Sequence, residues 1–300
     1  MEIEDLNIGF KYNQSNMILT IEGRKPVKEI KSFLFELLSL LFLYLGSYPR
    51  MESLVINNKK QDLSNLIVKF NTREEFIKPE MVICNIENSS INETVLNKFR
   101  NINKHPIYSL EYLVSKEYKH VVMNHKLTLL LHVMEGLADR SVLRQLEDEL
   151  RNLMGTKNLI GKFKASSYNI LKNNFFKYHK KFDCGIFTLL DVDEMSFLEK
   201  ITDTRNWHSH FYDESKKKNR LKKGDDMLYY FYIIFFAIRI YLIDSLGVSL
   251  NEEKIKEYCF MLHDWVLTEK HKKNEPLKSK TYNNVESRKT IEQIILKYNL

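Results

Sequence analysis

The chain has 300 residues, of which 44% are hydrophobic and 12% aromatic, enough to bury a real core and too apolar for a disordered chain. Lys and Arg number 46 against 39 Asp and Glu, a formal charge of +7 that allows a polyanionic partner without demanding one. Cys84, Cys184 and Cys259 lie far apart with no Cys-x-x-Cys spacing, so neither a disulfide framework nor a zinc knuckle is indicated and a reducing, cytoplasmic setting is expected.

The start, Met-Glu-Ile-Glu-Asp, lacks the basic and apolar regions of a signal peptide. Met17–Ile21 is rich in β-formers and reads as a strand. Pro26 suits a first helical position, and Val27, Ile30, Phe33 or Leu34, Leu37 or Leu38, Leu41 and Leu45 then recur at helical spacing until Gly46. Leu54–Ile56, Leu66–Phe70 and Met81–Ile86 read as further short strands, giving a small α+β unit ahead of a turn at His105-Pro106.

From Tyr108 onward helical periodicity takes over. Val121 to Leu137 carries one apolar stripe and Val142 to Leu153 a second. Glu135 follows His132 by three residues, so the two share a face; His125 precedes His132 by seven. No third ligand is near, and interface or solvent-facing side chains are the simpler reading. Gly155 to Lys162 resembles a phosphate loop only superficially: five residues separate its glycines where four are needed, and Phe163 follows the lysine where Ser or Thr is needed. Tyr168–His179 reads as a helix with lysines outward. A segment from about Asp191 to Asn206 reads as another, with Asp191, Asp193 and Glu194 where the helix dipole favours anions.

Arg205-Asn206-Trp207-His208-Ser209-His210 comes next, followed by a polar loop with six positive charges, Lys216, Lys217, Lys218, Arg220, Lys222 and Lys223. Met227–Leu246 is apolar almost all round and belongs at the centre of a bundle. Like Phe33–Leu45, it falls short of a clean membrane span of roughly 20 apolar residues, so no membrane partner is expected. A helix over about Asn251–His271 and a short terminal one complete the chain.

The hexad suits phosphodiester chemistry. An imidazole with an ordinary pKa near ~6.5 exchanges protons at neutral pH, and the arginine fork is a permanently charged donor to phosphate oxygens. RNA supplies its own nucleophile, the 2′-OH, so cleavage requires only proton movement and charge stabilisation on the phosphorane, with no metal and no other cofactor. The basic loop is equally consistent with a solvated loop; beside the hexad, phosphate tracking by its six cations becomes the better reading.

Arg205, the polar Asn206, three further residues and His210 resemble the Arg-x4–6-His signature of the HEPN superfamily of all-α ribonucleases. The helical context over roughly residues 116–248 is similar to the ApeA-type HEPN domain of bacterial anti-phage defence. The resemblance implies an antiparallel HEPN-type helical bundle over 116–248; with the small α+β N-terminal domain (1–115) and the C-terminal helical extension (249–300) read from the residues, a mainly α fold is expected. It implies an endoribonuclease of defence or toxin type acting on RNA, tRNA among the candidates, that leaves a 2′,3′-cyclic phosphate. It also implies a homodimer with a composite active site, and a regulatory or inhibitory partner is the corresponding expectation.

Two histidines compete. On an ideal helix His210 points about 140° away from Arg205, whereas His208 lies only about 60° away. A helix ending near Asn206, as the following polar residues suggest, frees His210 to turn back, and the family spacing favours it; His208 is second. The alternative function is a non-catalytic HEPN-like module that binds RNA, nucleotide or a partner protein. A metallohydrolase fares worst, since no ligand cluster has suitable spacing.

Overall fold

The computed structural model describes residues 2–3, 6–13, 16–47, 55–56, 59–60, 82–84, 91–102, 104–114, 121–137, 140–157, 159–210, 219–222 and 224–274. The N-terminal part holds a three-stranded antiparallel sheet, β1 (Glu2–Ile3), β2 (Leu6–Asn13) and β3 (Asn16–Gly23), in which β2 and β3 pair from Leu6↔Gly23 to Asn13↔Asn16. Strand β2 had no counterpart in the sequence reading, although Leu6, Ile8, Phe10 and Tyr12 alternate with Asn7, Gly9, Lys11 and Asn13 at the period of a strand. A second antiparallel pair joins β4 (Val55–Ile56) to β5 (Lys59–Lys60). The expected strand over Met81–Ile86 is corrected: its described residues, Val82 to Cys84, run without strand structure. Their backbone instead links two helices, with Ile83 N–H donating to Tyr44 O (3.3 Å) and Asn251 N–H donating to Ile83 O (3.1 Å). The expected strand Leu66–Phe70 lies outside the described residues.

Helix α1 (Val27–Leu45) follows the predicted periodicity, and Gly46 ends it with φ of 77°, its N–H capping Phe42 O at 2.8 Å. The second half of α1 is buried on every side, so it cannot be a surface helix. Then come α2 (Glu93–Asn101) and α3 (Lys104–Leu113). His105 and Pro106 are therefore in a helix rather than a turn. Proline is tolerated there because first-turn N–H groups have no intrahelical acceptor to lose.

The bundle is built from α4 (Met123–Gly136), α5 (Arg140–Leu153), α6 (Lys162–Leu171), α7 (Lys177–Phe182), α8 (Ile186–Leu190), α9 (Glu194–His210), α10 (Gly224–Ser245) and α11 (Glu252–Asn274). A π-helical turn, Lys172–Phe176, joins α6 to α7, so the single helix expected over Tyr168–His179 contains one wide turn. Helix α10 packs against α1, α4, α6 and α11. It is long and apolar enough to cross a membrane by composition, yet most of it is buried in this bundle, as a central core helix should be.

Aromatic stacking locks the centre: Phe236 lies on Tyr258 at 3.9 Å and Phe197 on Tyr230 at 4.3 Å. The second pair matters for the site because Phe197, with Leu198 and Ile201, is fully buried and anchors the first half of α9 in the core. Each such side chain contributes roughly 1.5–3 kcal/mol. The second half of α9 then emerges from the core half-exposed.

A buried charge ties the N-terminal part to the bundle. Arg239 of α10 is fully buried and donates from Nε to Leu43 O (2.9 Å) and from Nη2 to Tyr44 O (3.0 Å). These are carbonyls of the last turn of α1, which lack intrahelical donors and favour a cation.

Candidate active site

Asp193 starts α9 by accepting from Ser196 N–H at 2.6 Å, and Phe197 N–H bonds back to Asp193 O at 2.9 Å. Asp191, expected in the same start, instead closes α8 with φ of 53°. The helix does not stop near Asn206: it runs without interruption through His210. This corrects the sequence-based helix end, and tertiary contacts account for it. Thr204 is buried, donates to Lys200 O (2.7 Å) and accepts from Leu221 N–H (2.9 Å), so it fastens the returning chain to α9. One turn on, the Arg220 guanidinium lies 4.0 Å from the centre of the Trp207 ring, an attraction that holds that flank helical. Tertiary packing of this kind overrides the weak helix propensity of Asn, Ser and His.

Arg205 is held from three sides. Its Nη2 donates to Glu135 Oε2 at 2.6 Å, its Nη1 to Asn206 Oδ1 at 3.2 Å, and the guanidinium carbon lies 5.5 Å from the Phe163 ring centre. Its Nε is buried and makes no hydrogen bond among the described residues; the same is true of Trp207 Nε1. Glu199, less than two turns before Arg205 on α9, meets Lys164 of α6 at 3.6 Å.

Helix α4 supplies the facing wall. His132 Nε2 lies 3.1 Å from Ser209 Oγ, and with Glu135 opposite Arg205 this register means that α4 and α9 run antiparallel. The ring of His208 meets Trp207 edge-on at 4.9 Å. Both imidazoles are held below the ordinary histidine value. For His132 the causes are desolvation and then the Arg205 charge, partly offset by Glu135. For His208 they are desolvation, His125 and Arg220. Neutral imidazoles are the form that accepts protons.

Of the sequence-predicted residues, Arg205, Asn206 and His208 therefore come together on one helix, with His208 nearer Arg205 in rotation. His210 belongs to the same helix by its backbone. In the basic loop, Lys222 is exposed and Arg220 covers Trp207, while Lys216, Lys217, Lys218 and Lys223 lie outside the described residues. Of the outward lysines, Lys172 in the π-helical turn pairs with Glu149 at 2.6 Å and Lys180 of α7 with Glu194 at 3.1 Å. Among the described residues no group of three or more His, Cys, Asp and Glu is arranged to hold a metal ion.

Reading in sequence missed the partners Glu135, His132 and Ser209. Their signal was present as a shared face on one helix and a hydroxyl inside the hexad, but nothing local joined them.

The family model for the Apea-like HEPN domain matches residues 110–252, spanning α4 to α10 and the whole hexad. Residues 110–252 of this chain are an Apea-like HEPN domain. No curated protein and no solved structure matches the chain significantly. HEPN domains are generally ribonuclease-like and associated with defence, and the Arg205 site lies within the HEPN segment.

Proposed function

We propose that this HEPN protein is a metal-independent endoribonuclease of bacterial anti-phage defence or toxin type, with RNA, tRNA included, as its substrate. One observation carries the reading: within the HEPN segment, Arg205, Asn206 and His208 are presented on a single uninterrupted helix, with the arginine pre-oriented and its Nε buried without an acceptor among the described residues. In the reaction the 2′-oxygen bonds to phosphorus, the 5′-oxygen leaves, and a 2′,3′-cyclic phosphate and a 5′-hydroxyl result. Arg205 would neutralise the charge that builds on the phosphorane oxygens, Asn206 hold the guanidinium in place, and an imidazole carry a proton.

The continuous helix favours His208 as that imidazole within one protomer. His210, about 140° round the helix from Arg205, would serve a phosphate held by Arg205 of a second copy. A homodimer with a composite cleft is thus part of the proposal, as is tracking of the RNA backbone by Lys216, Lys217, Lys218, Arg220, Lys222 and Lys223.

The test is incubation of purified protein with total cellular RNA in excess chelator, comparing wild type with Arg205→Ala, His208→Ala and His210→Ala. Cleavage in chelator, lost in Arg205→Ala, is expected. Activity abolished by chelator would sink the metal-free mechanism. RNA retention without cleavage would favour the non-catalytic binding module. Mixing Arg205→Ala with His210→Ala tests the shared cleft, because one intact composite site should return part of the rate.

A further inference from the structure

Resting on the ribonuclease reading, we propose that Ser209 and His132 form a proton relay that serves the Arg205 site from the opposite helix. Two imidazoles of α4, His125 and His132, are exposed, and His132 is anchored across the helix gap by a 3.1 Å contact between its Nε2 and Ser209 Oγ. Ser209 lies four residues after Arg205 on the same helix, about 40° from it in rotation and nearer than either hexad histidine. A phosphate on the Arg205 fork therefore brings the adjoining ribose towards the Ser209 hydroxyl.

The step balances without a co-reactant. Ser209 Oγ passes its proton to His132 Nε2 as it takes the proton of the ribose 2′-OH, and the 2′-oxygen attacks phosphorus. A hexad imidazole, in its protonated form, then gives its proton to the departing 5′-oxygen. His132 acts through Ser209 and is a positioning residue; its neutral state, which the relay needs, is the one favoured here. Arg205 and Glu135 are the charged groups that face it. Glu135, three residues further along α4, keeps Arg205 beside the pair. The arrangement gives a purpose to an exposed histidine that the metal reading could not use.

The experiment measures 2′,3′-cyclic-phosphate ends formed on total cellular RNA by the full chain, with melting temperature and RNA retention on a filter recorded alongside. His132→Ala and Ser209→Ala should each cut about 100-fold more slowly, with retention unchanged. Added imidazole should recover part of the His132→Ala rate. The acid limb of the wild-type pH profile should flatten in His132→Gln, which keeps a side-chain oxygen to accept from the Ser209 hydroxyl and so guards against a simple loss of folding. Wild-type rates in His132→Ala, or a His132→Gln protein with the wild-type rate and acid limb, would overturn the relay while leaving the ribonuclease reading intact provided Arg205→Ala is inactive. A wild type that cuts no RNA would overturn both.

Discussion

Glu135 reaches across from α4 to Arg205 of α9, placing Oε2 2.6 Å from Nη2, with both side chains about three-quarters or more buried: their exposures are 26% and 18%. The ion pair fixes the rotamer of the one permanent cation of the hexad. It also puts a carboxylate where RNA phosphate would approach. Glu135→Ala should therefore lower stability by about 1–3 kcal/mol and cleavage by about 10-fold or more, since the guanidinium is then free to reorient. Glu135→Gln keeps a side-chain oxygen to accept from Arg205 and should lose much less in both respects. Denaturant melts and initial rates on the same RNA check this; equal losses in the two variants would contradict an orienting role.

Stability should depend on pH through His132 and His208. Both are depressed below 6.5 in the fold, so the unfolded chain binds more protons over the window below that value. Their contribution is fully present above pH 6.5 and is lost as pH falls through the folded values. A melting temperature that drops between pH 7 and pH 5, and drops less in the His132→Gln, His208→Gln double variant, is the expected result.

Thr204→Val should loosen the chain that follows the hexad. Its hydroxyl is the acceptor for the buried Leu221 N–H, and leaving that donor unsatisfied costs about 1–3 kcal/mol. Thr204→Ser keeps the oxygen and should stay close to wild type. Hydrogen exchange at the Leu221 amide, faster in Thr204→Val alone, reads this directly.

The basic loop can be tested by salt. Replacing Lys216, Lys217 and Lys218 with Glu should weaken RNA retention, and the slope of log affinity against log salt should fall by about 0.7 for each phosphate of single-stranded RNA that is no longer neutralised. An unchanged slope would return this loop to a solvated role.

Gly46→Ala should be strongly destabilising. A Cβ at this position would sit 2.5 Å from Arg239 Nη1 and 2.8 Å from Cζ, on a backbone with φ of 77°. The conformational penalty alone is about 1–3 kcal/mol. Thermal melting of the variant is the measurement.

Much of the fold was legible because long apolar runs leave few alternatives: α1 and α10 are where their periodicity puts them. The end of α9 was not, because Thr204 and Trp207 are fastened by Leu221 and Arg220, residues beyond the loop whose return no local pattern announces. The wide turn at Lys172–Phe176 has the same apolar residues as a regular helix and differs only in which carbonyl each N–H meets. At the site, the hexad was legible as chemistry. Its companions were not, since Glu135 and His132 meet it across 70 and 77 residues of chain.

The Arg239 bonds to Leu43 and Tyr44 carry a consequence for where this molecule can be cut. The HEPN segment recognised by sequence begins at residue 110, but a fully buried guanidinium inside that segment directs two of its hydrogen bonds to a helix that ends at residue 45. Excising residues 110–252 would take away the carbonyls that hold this guanidinium and uncover the apolar face of α10 on which α1 packs. Breaking the contacts of a buried charge usually costs several kcal/mol. The unit expected to fold cooperatively is thus larger than the unit of homology, and truncations meant to isolate the HEPN domain should retain α1.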